Sequence, residues 1–274
     1  MQQHKPIYIK GNEQFYATSR IERWRGCGTP NNPYIIENYE INGEGSDYCI
    51  QIENTDVYFV IRNCRLFGTS KPWGNGIALM NVKNGIITNN TCTEHQLDGI
   101  SLWSSSNNII TNNVCISNGT DGISLNESSN NILTNNTLIG NKRCGIFLIS
   151  SPNNLLSNNI CIGNGQYGIS LFQCQSSNIA NNTCTGNREY GIYMGVSSND
   201  TVTNNICIAD KKYGICITSL KNTILLNNTC IESKDVDIHM NALSNNTHIN
   251  NIYSNLVVKD TEIIHSRRMI KIQV

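Results

Sequence analysis

The second residue of a recurring Asn-Asn pair falls at Asn90, Asn113, Asn136, Asn159, Asn182, Asn205, Asn228 and Asn251, each 23 positions beyond the last. A Gly-Ile pair keeps the same step at Gly76-Ile77, Gly99-Ile100, Gly122-Ile123, Gly145-Ile146, Gly168-Ile169, Gly191-Ile192 and Gly214-Ile215, then degrades to Asp237-Ile238. A unit this short cannot bury its own apolar face, so neighbours must stack and share one core. The chain of 274 residues is therefore expected to form one elongated domain, whatever its length would suggest for a globular protein.

Residues 99–121 spell out the unit. Gly99-Ile100-Ser101-Leu102-Trp103 alternates, with Ile100 and Leu102 on one face and Ser101 and Trp103 on the other, which reads as a strand. Ser104-Ser105-Ser106-Asn107-Asn108 is a turn cluster, Ile109 to Asn113 a second strand and Val114-Cys115-Ile116 a third. Three strands and no helix in 23 residues predict one coil of an all-β, single-stranded, right-handed parallel β-helix of about ten coils. Stacked at the strand spacing, such a solenoid is about 50 Å long. Leucine-rich horseshoes have similar periods but need an L-x-x-L-x-L frame and a helical side, and neither is present.

The columns agree with stacking. Leu79, Leu102, Leu125, Leu148, Leu171, Met194, Ile217 and Met240 form one inward ladder, and Ile87, Ile110, Leu133, Leu156, Ile179, Val202 and Leu225 a second that ends at His248. An asparagine carries both donor and acceptor, so the Asn90-to-Asn251 column reads as an asparagine ladder bonded along the axis and to the turns. Sequons within that column are accidental, whereas Asn118-Gly119-Thr120 and Asn126-Glu127-Ser128 lie nearer turns and read as acceptors in a secreted chain. Of 12 cysteines, Cys92, Cys115, Cys161, Cys184, Cys207 and Cys230 share one column, with Leu138 substituting once. A slot that takes leucine is apolar, so these are expected as reduced, stacked thiols packed as small hydrophobes. Stacked thiolates also suit copper(I) or zinc, but no C-x-x-C or Cys/His pairing accompanies them, so no metal site and no cofactor are expected.

Residues 1–48 stand outside the repeat and are expected to form an N-terminal cap and opening strand; 49–253 hold the coils, and 254–274 the closing segment. Within the cap, Pro6-Ile7-Tyr8-Ile9 alternates like a strand, Arg20 to Trp24 reads as a brief helix, Gly28 to Pro33 as a turn, and Tyr34 to Ile41 as a strand. Ile50 lies 27 before Ile77, so about four extra residues bulge out around Gly68 to Asn75, a loop carrying Trp73. Leu256-Val257-Val258 and Met269-Ile270-Lys271-Ile272 read as closing strands. A formal net charge of +0 with 15% charged residues gives no field for nucleic acid or anionic membrane, and no run approaches the ~18 apolar residues of a membrane span. The first twenty residues lack the basic-then-apolar layout of a signal peptide.

The repeated G-I-x-L…S-S-N-N-x-I-x-x-N pattern resembles the right-handed parallel β-helix repeats of the pectate-lyase superfamily, in particular its NosD-like group of bacterial and archaeal periplasmic or surface proteins. The stretch Gly28 to Ile36 resembles the opening segment of archaeal surface β-helices, and the similarity runs from about Thr29 to Tyr253. The resemblance implies a secreted, periplasmic or cell-surface location. It implies little about activity, since lyases, hydrolases, epimerases, adhesins and silent proteins share the scaffold.

Enzymes of that superfamily usually work on the outer face of the Gly-Ile strand, which here carries two features. Asp98 stands one coil from Asp121, with Glu94 and His95 in the preceding turn. Carboxylates about 5 Å apart match retaining glycosidases, although Asp before Gly is also ordinary turn chemistry. The aspartate, histidine and arginine signatures of polygalacturonases, pectate lyases and mannuronan epimerases are otherwise missing. The second feature is aromatic: Tyr167, Tyr190 and Tyr213 in one column, with Trp103, Phe147, Phe172 and Tyr193 beside them. Such a stripe stacks on sugar rings, buries in a protein partner, or stacks on itself. Lys142-Arg143, Arg188-Glu189 and Lys211-Lys212 read as a solvated rim. The expected function is a non-catalytic scaffold binding a polysaccharide or protein partner along the aromatic face, with a homo-oligomer also open. The alternatives are a polysaccharide hydrolase or lyase with Asp98 and Asp121 as acid and base and His95 assisting, and a copper-handling accessory protein.

Overall fold

The computed structural model describes residues 1–267 and 270–271 and is a parallel β-solenoid with three sheets. In the repeat of residues 99–121 the strands are Ile100–Trp103, Ile109–Thr111 and Val114–Ile116, and each pairs in parallel with its counterpart 23 residues on. The first sheet runs from Ile7–Lys10 to Leu256–Arg267, the second from Tyr34–Glu37, and the third from Gln2–His4 to Ile270–Lys271. First and second sheets are joined at the C-terminal end, where the single strand Val236–Ile249 bends through both. Met269 and Ile272 of the expected closing strand lie outside the described residues.

Four corners per coil turn the backbone, and each is made the same way. In the 99–121 coil, Ser104, Asn107, Asn112 and Ser117 have φ of 48°, 57°, 56° and 56°, the left-handed conformation that Asn tolerates better than most residues. The residue after each of these, Ser105, Asn108, Asn113 and Asn118, points inward and is fully buried. Buried polar groups must be paired, and these pair between coils. Asn113 shows the pattern: its Oδ1 accepts the backbone N–H of Asn90 at 3.0 Å and Asn90 Nδ2 at 3.1 Å, and its own Nδ2 donates to Ile87 O at 2.9 Å and Asn136 Oδ1 at 3.1 Å. The sequence singled out only this column. The Asn118, Asn141, Asn164, Asn187 file and the Asn108, Asn131, Asn154 file do the same at two other corners. Burial of Asn118 also removes it as a glycosylation acceptor, because an inward amide bonded to Cys92 O and Asn141 Oδ1 is out of reach.

Both inward ladders are buried throughout, and the cysteine column is buried and free of disulfides. The Gly-Ile glycines are required by space rather than by dihedral angle. A Cβ on Gly99 would lie 2.7 Å from Gly122 O and 2.9 Å from Cys115 Sγ, and the other glycines of the column likewise face a backbone carbonyl of the next coil at 2.5–2.7 Å. Where Asp237 replaces glycine the geometry changes: Ile238 pairs with Leu256, a step of 18 (256 − 238) in place of 23, and Asp237 Oδ2 accepts the N–H groups of Ser254 and Asn255 at 2.7 and 3.1 Å.

At the N-terminal end the helix spans Gly11–Ile21, earlier and longer than the Arg20-to-Trp24 expectation. Only Phe15 and Ser19 of this helix are buried, so it lacks the broad apolar stripe that marks a helix in sequence. Phe15 packs on Tyr34 and Phe59, ring centroids 5.0 and 5.3 Å apart, and plugs the end of the core. The strand expected over Tyr34 to Ile41 is broken at Asn38, whose φ of 62° makes it a corner between two sheets.

Two asparagine positions hold aspartates. Asp210 Oδ1 accepts Asn187 N and Nδ2 at 2.8 and 2.9 Å, but its Oδ2, standing where an amide would donate, has no partner, and burial raises its pKa to about 8. Asp200 repeats this, with Oδ1 on Ser177 N, Oδ2 unpaired and a pKa raised by burial to about 7. A raised folded-state carboxyl binds a proton that the unfolded chain has already released, so stability falls as pH rises from about 4 towards 8. Asp210→Asn is expected to stabilise the protein by about 1–3 kcal/mol at pH 9 and by little at pH 5, read from urea midpoints at the two pH values.

Candidate functional site

The outer face of the first sheet is hollowed on its N-terminal half into two adjoining clefts of about 500 and 440 Å³. Both share Trp73, Asn75, Ser101 and Trp103 as lining. The Gly68-to-Asn75 insertion stands up beside the sheet and carries Trp73, 74% exposed; Trp103, 51% exposed, rises from the end of strand Ile100–Trp103. Along the floor Gln51, Ala78, Ser101 and Ser124 follow one another in register, and Met80 stands beside Trp103. Tyr8, Tyr48 and Asp47 close one end; Asp98, Arg143 and Phe147 border the other.

Asp98 and Asp121 are neighbours, as the repeat requires, but each is bonded to the coil that follows it. Asp98 Oδ1 accepts the Asp121 N–H at 3.0 Å and the Thr120 hydroxyl, while its Oδ2 accepts the Ser124 hydroxyl. Asp121 is fully buried; Oδ1 accepts Arg143 Nε and the Cys144 N–H, each at 2.9 Å, and Oδ2 pairs with Arg143 Nη2. Burial pushes Asp121 up to about 6, with Asp98 adding to the rise and Arg143 opposing it. Arg143 is thus an internal brace rather than part of the solvated rim, and its guanidinium lies 4.1 Å from the centre of the Phe147 ring.

His95 does not join the aspartates. It occupies the corner position that Asn118 fills one coil later, 2% exposed, with Nε2 donating to Leu66 O at 3.1 Å and Nδ1 accepting from Thr69 Oγ1 at 3.0 Å. A carbonyl only accepts, so the proton sits on Nε2. Burial lowers its pKa to about 4 and keeps the ring neutral. Thr69 opens the loop that carries Trp73, so His95 pins the base of one cleft wall.

The tyrosine column stacks on itself. Tyr167 and Tyr190 lie 5.1 Å apart at 8°, Tyr190 and Tyr213 5.0 Å apart at 2°, and Tyr213 continues onto His239 at 4.9 Å. Tyr193 leans on Tyr167 and Tyr190 and reaches Thr218, and together these rings roof Cys216, leaving it buried. Phe172 is half-buried beside them. Of the aromatic residues expected to bind, only Trp103 and Phe147 line the cleft. Trp73 is the wall residue that column reasoning missed, because it belongs to no column; its signal was the break in the 23-residue step.

The sequence between residues 24 and 176 matches the family described as "Right handed beta helix region". The chain belongs to this family. Residues 138–268 of the β-helix also match the "Periplasmic copper-binding protein (NosD)" family. A comparison with curated proteins gives no match. Among solved structures the β-helix is similar to a double mutant of the periplasmic alginate epimerase AlgG (12% identity, 97% of this chain and 84% of that one, TM-score 0.64) and to the A-module of the Azotobacter vinelandii mannuronan C-5 epimerase AlgE4 (14%, 99% and 90%, TM-score 0.60). It is also similar to the Dettilon tailspike protein (13%, 93% and 55%, TM-score 0.66). At these identities the likeness is one of fold. No helix among the described residues is long and apolar enough to cross a membrane.

The residues present do not fit copper. The thiols of Cys161, Cys184, Cys207 and Cys230 lie in a fully buried column between apolar ladders. A metal ligand must be a thiolate, and a dry apolar core disfavours that charge. No group of three or more His, Cys, Asp or Glu among the described residues is placed to hold a metal ion. Cys27 alone of the 12 cysteines is exposed. Native protein treated with a chromogenic disulfide reagent should therefore release about one equivalent of thiol rapidly, rising to all 12 cysteines after unfolding; several fast equivalents in the native state would show that the column opens.

Proposed function

We propose that the protein is a non-catalytic scaffold, acting outside the cytoplasm, that holds a carbohydrate chain in the cleft between Trp73 and Trp103. The observation carrying this reading is two largely exposed indoles on the same cleft, over a floor that includes Gln51, Ser101 and Ser124. Indole faces pack on the C–H faces of sugar rings, while Gln51, Asn75, Ser101 and Asn126 supply donors and acceptors for hydroxyls. The extracytoplasmic location draws on the periplasmic description of the matching NosD family and of AlgG. Trp73→Ala and Trp103→Ala are each expected to weaken glycan binding about tenfold, close to 1.4 kcal/mol, while Tyr190→Phe in the self-stacked column leaves it unchanged. Glycan-array binding followed by calorimetry on hits checks this; equal loss in Tyr190→Phe would move the site to the tyrosine column.

A second reading, a polysaccharide hydrolase or lyase, draws on Asp98 lining the cleft beside an Asp121 raised to about 6. Against it stand the full burial of Asp121 and the commitment of both its oxygens to Arg143. The scaffold reading expects no product from any polysaccharide in a panel followed by reducing-end and unsaturated-product detection. Turnover that disappears in Asp98→Asn would favour the enzyme.

A further inference from the structure

We infer that the cleft selects an uncharged glycan chain and rejects polyuronates, an inference that rests on the carbohydrate reading above. The argument is electrostatic. A polyuronate carries one carboxylate per sugar, and binding it calls for cations free to receive those groups, best supplied by arginine forks. Among the described residues, the two cations beside this cleft, Arg143 and Lys71, each stand against a carboxylate.

Arg143 spends Nε and Nη2 on buried Asp121, and its guanidinium lies over Phe147. The arginine side chain is 40% exposed at the cleft edge, but its charge is already matched by Asp121, and leaving that partner would strand a buried carboxylate. Lys71 Nζ lies 4.0 Å from Asp47 Oδ2, and Glu53, whose carboxylate accepts from Tyr8 and Gln51 beside the cleft, adds a further negative charge. Asp98 is left over. It lines the cleft and shares the field of the one Arg143 with Asp121, held as an acceptor by the Thr120 and Ser124 hydroxyls and the Asp121 N–H.

An incoming uronate would meet Asp47 and Asp98 from opposite ends of the cleft and gain no new ion pair. An uncharged pyranose meets the same carboxylates as hydrogen-bond acceptors for its hydroxyls and the indoles as stacking surfaces. The chain thus shares its fold with alginate epimerases while presenting a cleft of opposite charge preference.

The test uses the full chain in calorimetry with two sets of hexasaccharides at low salt: neutral β-1,4-linked glucose, xylose and mannose, and acidic mannuronate and galacturonate. The expected result is binding of at least one neutral hexasaccharide, insensitive to added salt, with each uronate at least tenfold weaker. Asp47→Lys, a surface change that leaves two lysines where an ion pair stood, should raise uronate affinity about fivefold or more. A uronate binding as tightly as the best neutral ligand would overturn the charge inference and leave the carbohydrate cleft standing. Failure of both sets to bind, with the protein folded by circular dichroism, would overturn the cleft reading and this inference together.

Discussion

The hydrogen bond from a corner N–H to the side-chain oxygen of the next coil is the interaction on which the rest of this solenoid depends. Strands satisfy their own backbone in the parallel sheets, but a left-handed corner residue swings the following N–H out of the ladder. At Asn90, Asn113, Asn136, Asn159, Asn182, Asn205 and Asn228 that N–H donates to an asparagine Oδ1 one coil on, at 2.8–3.0 Å. The geometry works only if each coil holds a short side chain with an acceptor oxygen in the same place, which explains why the period is strict where apolar ladders tolerate Leu, Ile, Val and Met interchangeably. Removing one amide from the middle of a file, such as that of Asn113, would strand two donors in the coil before it and take one donor from the amide oxygen of the coil after it.

With register fixed, variety is confined to positions that no corner and no ladder controls. The outer face of the first sheet has such positions, and the two halves use them differently. Towards the C-terminus the tyrosines fill them and consume one another's faces. Towards the N-terminus the floor stays small, and the Gly68-to-Asn75 insertion raises Trp73 against Trp103. The cleft therefore arises from a local departure from the repeat, anchored to it through Thr69 and the buried His95. The aspartates at its edge follow the same rule: Asp121 is drawn in by Arg143, so a pair that looks like an acid and a base along the chain is a brace between turns in space.

Much of the fold was legible because it is periodic. The inward ladders, the free buried cysteines and the insertion were all readable from spacing in columns. What escaped was whatever the columns did not mark. Ser105, Asn108 and Asn118 looked like solvent-facing turn residues, since a polar residue beside a turn ordinarily is one; their inward direction follows from the left-handed residue preceding each. The helix Gly11–Ile21 hid because it buries little beyond Phe15. Of the candidate site, Trp103 and Asp98 were found by column, whereas the internal partners of His95 and Asp121 depend on contacts 22 to 29 residues away that no local pattern encodes.

The asparagine file also has a direction. In the amide-to-amide bonds from Asn90 to Asn228 each Nδ2 donates to the Oδ1 of the following coil, and that relation never reverses along the file. Amide dipoles aligned head to tail add, as they do along a helix. A solenoid built this way is an axially polarised rod, whose two ends carry partial charges of opposite sign. Any end-to-end growth of such rods is electrically favoured head to tail and opposed head to head, so the file that holds the coils in register also sets the sense in which whole molecules would line up.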